Sequence, residues 1–152
     1  RESWEKSYKN SKYYQEINNE KPEIVVLLQP TSPMRKAFHI EEALRLYSSD
    51  LDMIVSVKET ESNPYYVLFE ENSKGFLKKS KDSHFTRRQD CPKVWEYNGA
   101  IYIINPNSLI KKKIGEFDKI LKYEMDRESS IDIDNKIDFK LAEILMQKTN
   151  FK

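Results

Sequence analysis

Five branched aliphatic residues, Ile24-Val25-Val26-Leu27-Leu28, run straight into Gln29-Pro30-Thr31-Ser32-Pro33-Met34-Arg35. An apolar run of this length reads as a strand buried on both faces, the usual sign of a parallel sheet. The two prolines stop it, because neither donates a ladder hydrogen bond. A carboxamide and two hydroxyls thus lie at the carboxyl end of a central strand. In open α/β sheets that edge is where ligands bind.

The rest of the chain keeps an α/β rhythm. Residues 2–18 carry Trp4, Tyr8, Tyr14 and Ile17 as an imperfect helical stripe. Residues 36–48 place Ile40, Ala43, Leu44 and Tyr47 at helical spacing, and Met53 to Val57 forms the next apolar run. Strand, helix, strand predicts a parallel βαβ unit with a right-handed crossover. Tyr65 to Phe69 and Phe76 to Lys79 flank a glycine-containing loop and predict a hairpin. The polar stretch 80–96 is long for a connection and reads as a functional loop or an arm on a second subunit. Ala100 to Ile104 predicts a third core strand ended by Asn105-Pro106. A short helix over 107–113, a strand over 120–125 and a helix over 136–147 follow. The expected fold is α/β: one domain spanning 1–152, with a mostly parallel, Rossmann-like sheet, flanking helices and a projecting β-hairpin or arm.

Composition narrows the functional classes. Twenty-six basic residues against twenty-five acidic give a net charge of +1, without the basic excess of a nucleic-acid-binding module. No run approaches the ~20 apolar residues that span a bilayer, so neither nucleic acid nor membrane is expected as a partner. Cys91 is the single cysteine, which excludes an internal disulfide and points to a reducing, cytoplasmic setting. Apolar residues make up 38% and charged residues 34%, so the core is modest and the surface highly polar.

Several residues have the chemistry of a site. If Ile131 to Asp134 is extended, Asp132 and Asp134 share a face with Cα atoms roughly 6.5–7 Å apart. Two such carboxylates suit Mg²⁺, which combines them with phosphate oxygens and waters; alternatively Asp134 or Asn135 caps the final helix. Arg88 offers a guanidinium fork for a carboxylate, or is a surface arginine; Gln89 adjoins it. Gln29, Thr31 and Ser32 carry neutral groups suited to sugar hydroxyls, and Ser32 before Pro33 also fits a helix N-cap. Asn98-Gly99 reads as a bulge admitting a substrate to the backbone, or as a bend before the strand. His39 and His84 lack partners at metal or triad spacing and read as surface residues.

The segment V-V-L-L-Q-P-T-S-P-M-R resembles the strand-end signature of the acylneuraminate cytidylyltransferases. Arg88-Gln89-Asp90-Cys91-Pro92 with Asn98-Gly99-Ala100-Ile101-Tyr102-Ile103, and Ser130-Ile131-Asp132-Ile133-Asp134 leading into Asp138-Phe139-Lys140-Leu141-Ala142-Glu143, follow in the family's order. The resemblance covers residues 22 to about 147. It implies a fold like that of the nucleotide-diphospho-sugar transferases. The implied reaction transfers a cytidylyl group from CTP to a sialic acid-type 2-keto sugar acid, with legionaminic or pseudaminic acid as variants.

By the same resemblance, Asp132 and Asp134 hold Mg²⁺ and act in catalysis with Arg88. Gln29, Thr31, Ser32, Arg88, Gln89 and Asn98 bind substrate, and residues 62–97 form the dimerisation arm of a homodimer. One family feature is missing. Gly75, Gly99 and Gly115 are scattered singly, and no phosphate-cradling loop can be assembled from them. The chain is therefore expected to correspond to the carboxy-terminal two-thirds of such an enzyme, without the amino-terminal nucleotide-binding segment and inactive alone. The rival expectation is a non-catalytic sugar-acid-binding or dimerisation fragment.

Overall fold

A computed structural model describes residues 21–149 together with Tyr13 and Glu16. The helix expected over 2–18, with its stripe from Trp4 to Ile17, lies outside the described residues. In chain order the elements are β1 (Val25–Leu27), α1 (Ala37–Arg45), β2 (Met53–Glu59), β3 (Phe69–Glu71) and β4 (Leu77–Lys79). After a 3-10 turn at Arg88–Asp90 come β5 (Trp95–Ile104), α2 (Pro106–Lys111), a second 3-10 turn at Ile114–Glu116, β6 (Ile120–Glu124) and α3 (Lys136–Thr149).

The apolar runs fall where burial is deepest. Met53 to Val57 of β2 and Ala100 to Ile104 of β5 are all buried. Ala43 of α1 joins Ile54, Ala100, Ile101, Ile103 and Met125 in one cluster, with Ile40, Leu44 and Tyr47 packed against it. The stripe read from residues 36–48 is thus the face α1 turns to the sheet.

Strand order is β1-β5-β2-β6. β2 and β6 are parallel, Met53 opposite Ile120, whereas β1 and β5 are antiparallel, Val25 opposite Ile104. Asn105 N donates to Asp52 O at 3.0 Å and Ile101 N to Ser56 Oγ at 2.7 Å, so β5 also runs against β2. The α/β class holds, but the mostly parallel sheet does not: β5 is antiparallel to both of its neighbours. β1, β2 and β6 do share one direction. The expected βαβ unit is split because β5 lies between its two strands, and the apolar content of β5 carries no information about its direction.

β1 differs from expectation for a related reason. Among the described residues it has a neighbour on one side only, and Val26 and Leu28 stay more than a third exposed.

At the opposite end of these strands Asp52 ties three segments together. Its carboxylate accepts from Ser108 Oγ (2.5 Å) and from the backbone N–H groups of Asp118 and Lys119 (both 3.1 Å). The Ser108 hydroxyl foremost, with the Lys119 amide next, holds this carboxyl down at about 2.

The chain folds as two units, one built from residues up to Val57 and from Tyr97 onward, the other from Lys58–Glu96. The second unit contains the β3–β4 hairpin, in which Phe69 faces Lys79 and Glu71 faces Leu77. Its loop is closed by Asn72 Oδ1, which accepts from Lys74 N and Phe76 N, and by Gly75 at φ +80°. Within this unit Tyr65 and Phe85 meet edge to face at 6.1 Å. Asn63 is buried, donating to Pro92 O and accepting from Tyr65 N.

Candidate functional site

Gly99 marks the place where three segments of the first unit converge. Its φ of +75° is open to glycine and costly for other residues. A Cβ built there would fall within 3.0 Å of Gln29 Oε1 and 3.3 Å from Asp132 Oδ2. The loop after β1, the amino-terminal half of β5 and the loop before α3 thus bring a carboxamide and a carboxylate over one bare α-carbon. Ile133 N donates to Thr31 O at 2.9 Å, which binds the first loop to the third. Arg35 Nη1 donates to Gln29 O (3.0 Å) and to Ala100 O (2.8 Å), which binds the first loop to β5.

Two polar atoms at this place are buried without a hydrogen-bond partner among the described residues: Asp132 Oδ1 and Ser32 Oγ. A buried polar atom left unpaired costs roughly 1–3 kcal/mol, so each of the two calls for a partner from outside the described residues. Tyr102 is buried on the same strand, 6.4 Å from Tyr97 in an edge-to-face pair. Burial first, then the Asp132 charge, raises its hydroxyl above the usual tyrosine value.

Asp134 is exposed, and Asn135 supplies the cap of α3: its Oδ1 accepts from Ile137 N (2.8 Å) and Asp138 N (3.2 Å). Asp138 answers by accepting from the backbone N–H groups of Asp134 and Asn135. The Asp134 carboxylate is therefore not needed as the cap. Among the described residues no group of three or more His, Cys, Asp and Glu side chains is placed to hold a metal. The pair that exists, one carboxylate with an unpartnered buried oxygen and one exposed, fits the donor set of Mg²⁺, which completes its shell with waters and phosphate.

Asn98 sits beside this place but faces inward. It is 4% exposed; its Oδ1 accepts from Ser56 Oγ (2.6 Å) and Ala100 N (3.1 Å), and its Nδ2 donates to Ser130 Oγ (2.9 Å). Ser130 Oγ in turn donates to Asp126 O at 2.6 Å. Asn98 thus braces the bend at Gly99 from below. A lone hydroxyl in the apolar run Met53 to Val57 is the sequence signal for such a brace, because a buried polar group needs a partner. Ser56 has no role in the sequence reading, and Ser130 and Arg35 enter it only as the ends of motifs.

Ser32 does not cap a helix, because α1 begins at Ala37 after Lys36. His39 is a correction too. It is 3% exposed, and its Nδ1 accepts from the N-cap amide Lys36 N at 3.1 Å, the reach-back that a Glu or Gln at the third helical position makes in a capping box. Burial above all lowers its basicity.

Arg88 and Gln89 belong to the second unit. Both are exposed on the 3-10 turn, where Arg88 Nη2 donates to Glu61 O at 3.3 Å. They line a cavity of 370 Å³ with Asn63, Cys91 and Lys93. Cys91 Sγ donates to Arg87 O at 3.6 Å.

No protein-family model matches the chain. Individual proteins do. An N-acylneuraminate cytidylyltransferase of Streptococcus agalactiae is 37% identical over 116 residues, 75% of this chain and 28% of that protein. An N-acylneuraminate cytidylyltransferase of Escherichia coli is 36% identical over 133 residues, 84% of this chain and 31% of that protein. A CMP-N,N'-diacetyllegionaminic acid synthase of Campylobacter jejuni is 36% identical over 89 residues, 58% of this chain and 37% of that protein. The chain spans about a third of the length of these relatives.

Proposed function

The chain belongs to the N-acylneuraminate cytidylyltransferase family, and on that premise we propose that the complete protein transfers a cytidylyl group from CTP to a sialic acid-type sugar acid. In this reaction the anomeric hydroxyl attacks the α-phosphorus, the new O–P bond forms and pyrophosphate leaves. The observation that carries the reading is the convergence of Gln29 and Asp132 over Gly99, beside buried polar atoms that lack partners.

On this reading the Gln29 carboxamide and the Thr31 and Ser32 hydroxyls hydrogen-bond the sugar hydroxyls and N-acyl group. Within the second unit, Arg88 with Gln89 offers a planar fork suited to a carboxylate. Asn98 holds the Gly99 backbone so that the sugar can approach it closely. Asp132 and Asp134 would hold Mg²⁺, whose charge offsets that of the phosphates; catalysis otherwise rests on positioning. The three co-directional strands β1, β2 and β6 support placing the fold with the Rossmann-like nucleotide-diphospho-sugar transferases. Residues 62–97, which nearly coincide with the second unit, serve as a dimerisation arm. Phe69, Phe76 and Leu77 there are 48%, 68% and 70% exposed, and the two phenylalanines are of the aromatic type that interfaces use. Cys91 as the sole thiol supports a cytoplasmic location.

The test is pyrophosphate release by the complete protein from CTP and Mg²⁺. N-acetylneuraminic acid is the expected acceptor. Turnover confined to N,N'-diacetyllegionaminic acid would favour a second reading, which rests on the similarity to the Campylobacter jejuni synthase. Turnover with neither refutes cytidylyl transfer to this class of acid.

A further inference from the structure

We propose that Arg35 is a positioning residue that sets the Gln29 carboxamide in the sugar-acid site. This inference rests on the assignment of that site above. A single guanidinium nitrogen, Nη1, reaches the backbone carbonyls of Gln29 (3.0 Å) and Ala100 (2.8 Å). These two carbonyls flank the convergence: Gln29 supplies the side chain over Gly99, and Ala100 follows Gly99 in the chain. Nη1 carries two hydrogens in a fixed plane, one for each carbonyl, and so fastens the two main chains to each other. The register of β1 with β5 ends at Leu27 opposite Tyr102. Arg35 carries the connection past the end of the ladder, to the residue whose side chain meets the substrate.

The surroundings of Arg35 fit this role. The side chain is half-buried, and burial is what lowers its basicity. Among the described residues it forms no ion pair with a carboxylate within 4.0 Å. Its polar contacts here are to backbone, which is what a brace needs and what a surface salt bridge does not provide. Pro30 and Pro33, on either side of Thr31-Ser32, stiffen the span between Gln29 and Arg35. The geometry of one end is therefore passed to the other.

The test uses the complete protein carrying Arg35→Lys and, separately, Arg35→Ala. Thermal unfolding and near-ultraviolet dichroism establish that each variant folds. A charge-assisted brace is worth on the order of tenfold in placement of the group it holds. The expected result is a sugar-acid KM raised about tenfold, with the CTP KM and kcat changed less than twofold. Added guanidinium ion should restore Arg35→Ala toward wild type, which loss of general stability would not allow. Independently of any substrate, the ¹⁵N side-chain amide resonances of Gln29, assigned with Gln29→Glu, should shift in both variants. If both KM values rise together with a fall in thermal midpoint, Arg35 is merely structural and the proposal fails. Unmoved Gln29 resonances overturn it as well. If the wild-type protein transfers cytidylyl groups to no sugar acid, the functional reading falls, and the Gln29 resonances with their guanidinium rescue alone decide the clamp.

Discussion

Gly99→Ala isolates the geometry on which the site rests, because the other two glycines supply its controls. At Gly99 the alanine must keep φ +75°, and its methyl carbon lands within 3.0 Å of Gln29 Oε1 and 3.3 Å from Asp132 Oδ2. Left-handed backbone costs a non-glycine residue roughly 1–2 kcal/mol. Against this, alanine restricts the unfolded chain and returns about 0.4–1 kcal/mol. The net loss of stability is therefore about 1 kcal/mol, which lowers Tm by no more than roughly 2–4 °C in the complete protein.

The close contact adds little to that loss, because the far end of the Gln29 side chain can swing away. It does cost function: a displaced carboxamide forfeits a neutral hydrogen bond of up to about 1.5 kcal/mol, close to tenfold in sugar-acid KM. Gly75, at φ +80° with nothing within 4 Å, should show the strain without the functional loss. Gly115, with no positive φ and open space around it, should show neither. The assay is calorimetry with steady-state kinetics on the complete protein for all three variants. If Gly99→Ala keeps the sugar-acid KM within twofold of Gly75→Ala, the crowding of Gln29 over Gly99 has no functional meaning and the reasoning is wrong.

Asp52 has its carboxyl held at about 2 against an ordinary 3.8, so its stabilisation is complete above roughly pH 4 and disappears as pH falls toward 2. It amounts to about 2 kcal/mol, and acid titration of Asp52→Asn should lack that segment of the stability curve. His39 is less basic folded than unfolded, so wild-type stability should decline as pH drops below about 6.5, and unfolding of His39→Gln should show a flatter profile. In the complete protein, Asp132→Asn and Asp134→Asn should each lower turnover by orders of magnitude with Tm nearly unchanged; wild-type rates at saturating Mg²⁺ would remove them from the metal site. Residues 1–152 alone should release no pyrophosphate from CTP and N-acetylneuraminic acid. No glycine-rich phosphate loop occurs in this sequence, and alignment supplies about 7–11 kcal/mol of barrier lowering. Turnover near that of the complete protein would mean the nucleotide site lies within these residues.

Much of this was legible in the residues, and the exceptions have physical reasons. The runs at 53–57 and 100–104 were read as core strands because apolar content reports burial directly. Strand direction was not legible, since an antiparallel strand buried between two others is as apolar as a parallel one, and β5 is such a strand. Gln29 and Asp132 were read from local motifs, but their meeting over Gly99 is a long-range fact that no spacing encodes. The resemblance makes Asn98 a substrate contact; its side chain is buried and turned to the hydroxyls of Ser56 and Ser130, partners that lie far from it in the sequence. His39 reads as a surface residue in the sequence because a histidine at the third position of a helix carries no mark of the reach-back bond it makes.

Where the sugar acid binds is measured in one experiment by ¹⁵N chemical-shift mapping with N-acetylneuraminic acid. A site at Gly99 shifts the Gln29 side chain and the backbone amides of Gly99, Ala100 and Ile133, with Asp118 and Lys119 beside Asp52 unmoved. Shifts confined to Asp118, Lys119 and their neighbours at the opposite end of the strands would contradict it.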